Sequence, residues 1–317
     1  MSRFLIRRAL EILLVLAIMS FVIYALIGLM PGDPIDLMIA SDPHLTAADA
    51  VRLKALYGLD KPLIERYFAW LGGVLRGDFG YSRLYVRPAL QVLLPRLGNT
   101  ALLMGLSFTL TLAIAWPLGI LASRRPGSLF DSAANLLSFA AISVPSFWLA
   151  LMLILIFAVS LGWLPAGGDA TIGDGGLIDR ALHLALPVLT LTLVNFGIHL
   201  RYMRAAMGET LGQDYIRTAR AKGASEARIL LGHALRNALV PVITVVALSF
   251  GALFSGALVT ETMFAYPGMG KLIYDSVLGN DFNLALAGLL FATLMTLLAN
   301  LAADIAYAVV DPRIAYR

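Results

Sequence analysis

Cysteine is absent from the 317 residues, which removes disulfides, thiolate nucleophiles and cysteine metal sites and leaves the redox compartment open. Charge is scarce: Lys, Arg, Asp and Glu make up 14% of the chain, where a soluble domain carries about 25%. The four histidines are scattered, so no metal centre is expected, and no compact His, Asp or Ser constellation inside the apolar runs suggests an intramembrane enzyme. No Gly-x-x-x-x-Gly-Lys-Ser/Thr loop occurs, so the chain is not expected to bind ATP itself. An ion-coupled secondary transporter would call for inverted repeats, broken helices and paired buried charges near the midplane, and none is evident. Low-complexity tracts and flexible interdomain linkers are also missing.

What the chain has in excess is apolar sequence. It is 59% hydrophobic with a mean hydropathy of +0.82, which places it among integral membrane proteins. A crossing needs about 20 apolar residues. Six stretches qualify: Ala9 to Met30, Thr100 to Ala122, Ala133 to Leu161, Ala181 to Tyr202, Leu239 to Thr260 and Leu284 to Val310. Pro117, Pro145 and Pro187 fall inside or at the ends of these helices, where kinks are expected. The first stretch is too long for a signal-peptide core and lacks a small-residue cleavage site, so it reads as a retained helix that starts inside.

Basic residues then set the sides. Arg3, Arg7 and Arg8 precede the first span, Arg124 and Arg125 follow the second, and Arg313 and Arg317 end the chain. The long polar stretch between the fourth and fifth spans holds seven cations if Arg201, at the end of the fourth span, is counted: Arg201, Arg204, Arg217, Arg220, Lys222, Arg228 and Arg236. All of these fall on one side if the spans alternate, which places that side and both termini in the cytoplasm. The net charge of +4 mostly reflects these loops, so nucleic acid is not an expected partner. The expected organisation is residues 1–95 as a first helix plus a long extracytoplasmic segment, and residues 96–317 as a five-helix core with a cytoplasmic loop at 203–238.

That loop reads as helix, turn, helix. Met207 to Ala221 has no proline, Lys222 and Gly223 end it, and Ser225 can cap a second helix. Arg220 and Lys222 sit where the helix dipole favours cations, and Gly223 supplies left-handed geometry without a Cβ. The second helix is expected to run through His233 and Asn237 past Pro241, so a push on the turn would reach a membrane helix.

The loop sequence Asp214-Tyr215-Ile216-Arg217-Thr218-Ala219-Arg220-Ala221-Lys222-Gly223, followed by His233-Ala234-Leu235-Arg236-Asn237-Ala238 and Pro241, resembles the membrane permeases of type I ABC importers. The resemblance is to their oligopeptide, dipeptide and nickel branch. The family's general signature is Glu-Ala-Ala, three residues, Gly, nine residues, Ile, one residue, Leu-Pro; here only Ala219, Gly223 and Leu235 fit it. Further branch-like segments are Pro31-Gly32-Asp33-Pro34, Gly77-Asp78-Phe79-Gly80, Thr260-Glu261-Thr262, Tyr266-Pro267-Gly268-Met269-Gly270 and Val310-Asp311-Pro312-Arg313, in order along nearly the whole chain. The resemblance implies an all-α fold of six transmembrane helices in a bacterial cytoplasmic (inner) membrane. It also implies a second, homologous permease, two cytoplasmic ATPases that carry the ATP and magnesium, and an extracytoplasmic substrate-binding protein; membrane lipid is the remaining partner. Dipeptides and longer peptides are the implied cargo, with nickel chelates and glutathione as alternatives.

On this reading the ATPase-coupling loop comprises Asp214, Tyr215, Arg217, Thr218, Ala219, Arg220, Lys222, Gly223, Ala224 and Ser225. Its cations either meet acidic groups on an ATPase or serve only to set topology. His233, Arg236 and Asn237 are read as fastening the loop to its helices rather than binding metal. Asn195 and His199, at membrane depth, are candidates for the pore, as Asp304 is to a lesser degree. Glu261 and Tyr266 either form an external gate or binding-protein contact, or pack the helix ends; Gly77 to Ser82 carries the same pair of readings.

Overall fold

The computed structural model of the chain describes residues 2–29 and 61–310. The expected pieces at residues 31–34 and 311–313 lie outside them. Helix α1 (Ser2–Gly28) is followed by α2 (Leu63–Val74), a short hairpin of β1 (Tyr81–Ser82) and β2 (Arg87–Pro88), and the long α3 (Ala89–Ser123). Then come α4 (Leu129–Ser143), α5 (Ser146–Leu153, continued by a π-helical run Ile154–Ser160) and α6 (Leu177–Leu211). The remainder is α7 (Asp214–Ala221), a π-helical run Arg228–Ala234 leading into α8 (Leu235–Met263), α9 (Met269–Leu278) and α10 (Phe282–Val310).

Among the described residues five of these helices are long and apolar enough to cross a membrane, and the bent α4–α5 pair meets the same test when taken together, which gives up to six spans. The stretch expected as one helix from Ala133 to Leu161 is therefore two, meeting at 102°. The cause is Pro145. It disfavours helical geometry at the residue before it, and Val144 sits at φ −84°, ψ 123°, with Pro145 opening α5 as its N-cap. Pro187 and Pro241, by contrast, lie within continuous helices.

The chain packs as two compact units. The first comprises Met1–Asn99 with Gly268–Met295, the second Thr100–Pro267 with Thr296–Arg317. In the first unit Ala89 and Leu93 bury against Leu272, Leu284 and Ala287, while Ile23 and Ile27 bury against Ala285 and Leu286. Ser20 and the Tyr67 hydroxyl share a buried hydrogen bond of 2.8 Å between α1 and α2. The outward residues of α1, such as Leu10, Leu13, Leu14 and Ile18, are all exposed, as a lipid-facing surface requires. In the second unit α6 is the central element: its Phe196 and Leu200 meet Ala115, Ala122 and Ala134, and its Leu186 and Leu191 meet Leu103, Ala150 and Phe264.

Candidate functional site: the loop between α6 and α8

Helix α6 does not run on to Ala221 as expected. It ends at Leu211, and Gly212 and Gln213 turn the chain before α7 starts at Asp214. Gln213 is extended (φ −74°, ψ 152°) and lends no side-chain cap; Thr218 Oγ1 donates to the Asp214 carbonyl at 3.0 Å within α7. A separate, short helix results, which one buried residue attaches to the rest. Ile216 is fully buried among Met203, Met207, Ile229 and Leu230, with Ala219 and Ala224 packed at the edge. Such burial stabilises by about 1.5–3 kcal/mol for one side chain.

The turn that closes α7 is a Schellman motif. Gly223 has φ +79°, its N–H donates to the Arg220 carbonyl at 2.9 Å, and the Ala224 N–H reaches the Ala219 carbonyl at 3.1 Å. These two bonds satisfy carbonyls that the helix end would leave open, and Ala219 and Ala224 both pack on the apolar cluster that holds Ile216. No Cβ is tolerated there without strain. Helical geometry resumes at Glu226 and continues without a break through Met263, as expected. The turn is thus built onto the same rod that crosses the membrane.

Electrostatics inside the loop divide its cations into two sets. Arg217 pairs with Asp214, and Arg220 spans the turn to Glu226, with Nε donating to Oε1 at 2.9 Å. The Arg220 hydrogen bonds hold the Glu226 carboxyl below its ordinary range, and the positive charge of Arg124 adds to the effect. Arg220 is raised by the same pairing. Arg201 lies over the Phe139 ring at 4.6 Å, and Arg204 grips Asp131 of α4 through Nε and Nη2. Among the described residues Lys222 has no ion-pair partner. With Tyr215 (45% exposed) and the Gly223 turn, it forms the outward face of the knob.

The other sequence candidates separate by position. His233 and Arg236 are exposed, and Asn237 donates only to the His233 carbonyl of its own helix, at 2.8 Å; the loop is held by Ile216 and its apolar neighbours. Asn195 likewise donates to the Leu191 carbonyl at 2.8 Å. His199 is 1% exposed, neither ring nitrogen is hydrogen-bonded among the described residues, and its ring is set edge-on to Phe108. Glu261 and Tyr266 are both buried: Thr100 Oγ1 donates to Glu261 Oε1 at 2.5 Å. Burial, reinforced by Asp169 and Glu261, pushes the Tyr266 phenol up to about 12. Glu261 and Tyr266 therefore sit in the packing of the helix ends. Among the described residues no three His, Cys, Asp or Glu side chains come together as a metal site.

Asp131 escaped the sequence reading. Its side chain is 3% exposed and gathers the Arg204 guanidinium, the Gly127 N–H at 2.9 Å and the Asn135 amide at 3.1 Å. A signal was present: Ser128 three residues before Asp131 is a helix-start pattern, and the Asp131 N–H does donate to Ser128 Oγ at 3.2 Å.

Residues 115–316 match the family of binding-protein-dependent transport system inner membrane components, and residues 1–90 match the N-terminal region of such membrane components. Over the full length of both chains the protein is 42% identical to the oligopeptide transport system permease protein AppB of Bacillus subtilis (strain 168). It is 34% identical to the dipeptide transport system permease protein DppB of Escherichia coli (strain K12), again over all of both chains. Among solved structures, an inward-facing methionine ABC transporter, MetNI, is similar at a TM-score of 0.57 and 19% identity, covering 70% of this chain and 97% of that one. An amino acid ABC transporter is similar at a TM-score of 0.52 and 13% identity, covering 69% and 94%; these two likenesses concern the fold. With an exposed knob fused to a membrane rod and relatives matched from end to end, the chain belongs to the inner membrane components of binding-protein-dependent transport systems, a multi-pass permease with the type I ABC importer fold.

Proposed function

We propose that this permease is one half of the membrane channel of an ATP-driven importer for short peptides. The relatives named for oligopeptide and dipeptide transport support the cargo class. One observation carries the mechanism. The α7 knob is exposed, closed by a rigid turn at Gly223, and continuous from Glu226 with a helix that enters the membrane.

An ATPase that seats this knob in a groove would displace α8 and α6 together, because Ile216 packs on both Met207 and Ile229. Closure of two ATPases around ATP and magnesium, which they and not this chain would bind, then drives the change from inward to outward access. A second permease completes the path, and an extracytoplasmic binding protein delivers cargo to it. No covalent chemistry is assigned to this chain.

The test is reconstitution of the assembled complex in vesicles, with uptake of labelled dipeptides and longer peptides measured against ATP hydrolysis. ATP-dependent peptide uptake is the expected result. Uptake confined to nickel chelates or glutathione would keep the importer and change the cargo. Uptake by this chain alone, driven by an ion gradient, would overturn the reading.

A further inference from the structure

The segment Gly77–Ser82 plays no part in the coupling loop, yet it opens a firmly pinned hairpin. The Gly80 N–H donates to Asp78 Oδ1 at 2.9 Å. Gly80 itself (φ +76°) lies so close to Asn283 that a Cβ would stand 2.7 Å from its Nδ2. Tyr81 pairs with Pro88 and Ser82 with Arg87 in the two-stranded ladder. Asp281, 1% exposed, accepts from Ser82 Oγ at 2.5 Å and from the Leu84 N–H at 3.0 Å. The Asn283 amide donates to the Tyr81 carbonyl at 3.0 Å, and Arg83 donates to the Gly279 carbonyl.

Everything beyond that clamp faces outward. Residues 83–87 are all exposed, with Val86 at 81%, Leu84 at 45% and Tyr85 at 38%, and Tyr81 beside them at 67%. Val86 has φ +49°, a left-handed conformation that a β-branched residue adopts only when its surroundings force it. Arg83 and Arg87 have no carboxylate partner among the described residues, since Asp281 is enclosed in the clamp. Tyrosine and arginine over a small apolar surface is the composition of a protein interface, and two arginines without a carboxylate partner call for an acidic counterpart. On the alternation of spans read from the sequence, this segment is extracytoplasmic.

The geometry points to the hairpin Tyr81–Pro88 as a docking surface for an acidic face of the extracytoplasmic binding protein. This rests on the importer reading above. A lipid contact would need the same side chains but no fixed backbone, whereas here several bonds and a left-handed valine hold the tip in one geometry.

The experiment titrates the assembled transporter, in nanodiscs, with the binding protein that stimulates its ATP hydrolysis. In the Val86→Asp, Arg87→Glu double variant the half-saturating concentration rises about ten-fold or more, while unstimulated hydrolysis and assembly are unchanged. An unchanged half-saturating concentration overturns the proposal. So does an activity loss that follows the anionic lipid content with half-saturation unaltered, which would give the surface to the membrane instead. A wild-type complex that no binding protein stimulates overturns the importer reading and this assignment with it. A photo-crosslinker replacing Tyr85, a milder change, is expected to capture the binding protein; capture of lipid alone refutes the docking role.

Discussion

Breaking the Arg204–Asp131 pair from its two sides should give unequal losses. The Asp131 side chain is 3% exposed, whereas that of Arg204 is 30% exposed. In Arg204→Leu the carboxylate stays enclosed and keeps only the Gly127 N–H and the Asn135 amide, so the loss should approach the about 3–5 kcal/mol of an orphaned buried charge. In Asp131→Asn the guanidinium can turn toward water. What is lost is one charge-assisted hydrogen-bond set, about 1.5–3 kcal/mol. Equilibrium unfolding of the purified chain in mixed micelles reads both, and a double-mutant cycle isolates the pair. Losses that are equal, or both below about 1 kcal/mol as for a solvated surface pair, would refute the reasoning.

Three further outcomes concern the knob. Gly223→Val places a β-branched residue at φ +79°, at a local strain of about 1–2 kcal/mol; membrane insertion should be normal while cargo-stimulated ATP hydrolysis falls. Ile216→Ala empties the fully buried anchor of α7 and should destabilise the loop by about 2–5 kcal/mol, read as easier proteolysis between residues 211 and 226 and weaker recovery of the ATPases. Arg220 depresses Glu226 below its ordinary 4.5, so the pair's contribution is complete above pH 4.5 and fades as pH falls through the lowered value; a nitroxide at position 222 should gain mobility only in that acid range.

Much of this was legible in the sequence because membrane helices announce themselves by length and apolarity, and turns by glycine. Gly223 and the continuous helix beyond it followed from a missing Cβ and an uninterrupted pattern. The break at Gly212 and Gln213 was not foreseen, because a lone glycine in a helical stretch is tolerated as often as it terminates. Pro145 marked a kink, but the 102° bend depends on packing that no local rule carries. Sequence position alone places Arg201 and Arg204 with the loop cations, whereas tertiary contacts direct one to the Phe139 ring and the other to Asp131. Glu261 and Tyr266 left two readings open because the sequence does not show which end residues are enclosed.

A Gly223 knob that seats on an ATPase would bring Lys222 against that partner. The most direct test is a photo-crosslinker at Lys222 in the complex purified from native membrane in mild detergent. An adduct with a cytoplasmic ATPase that changes in yield when ATP is bound is the expected result. An adduct with lipid or with this chain alone, in a preparation where the ATPases are present, would contradict it.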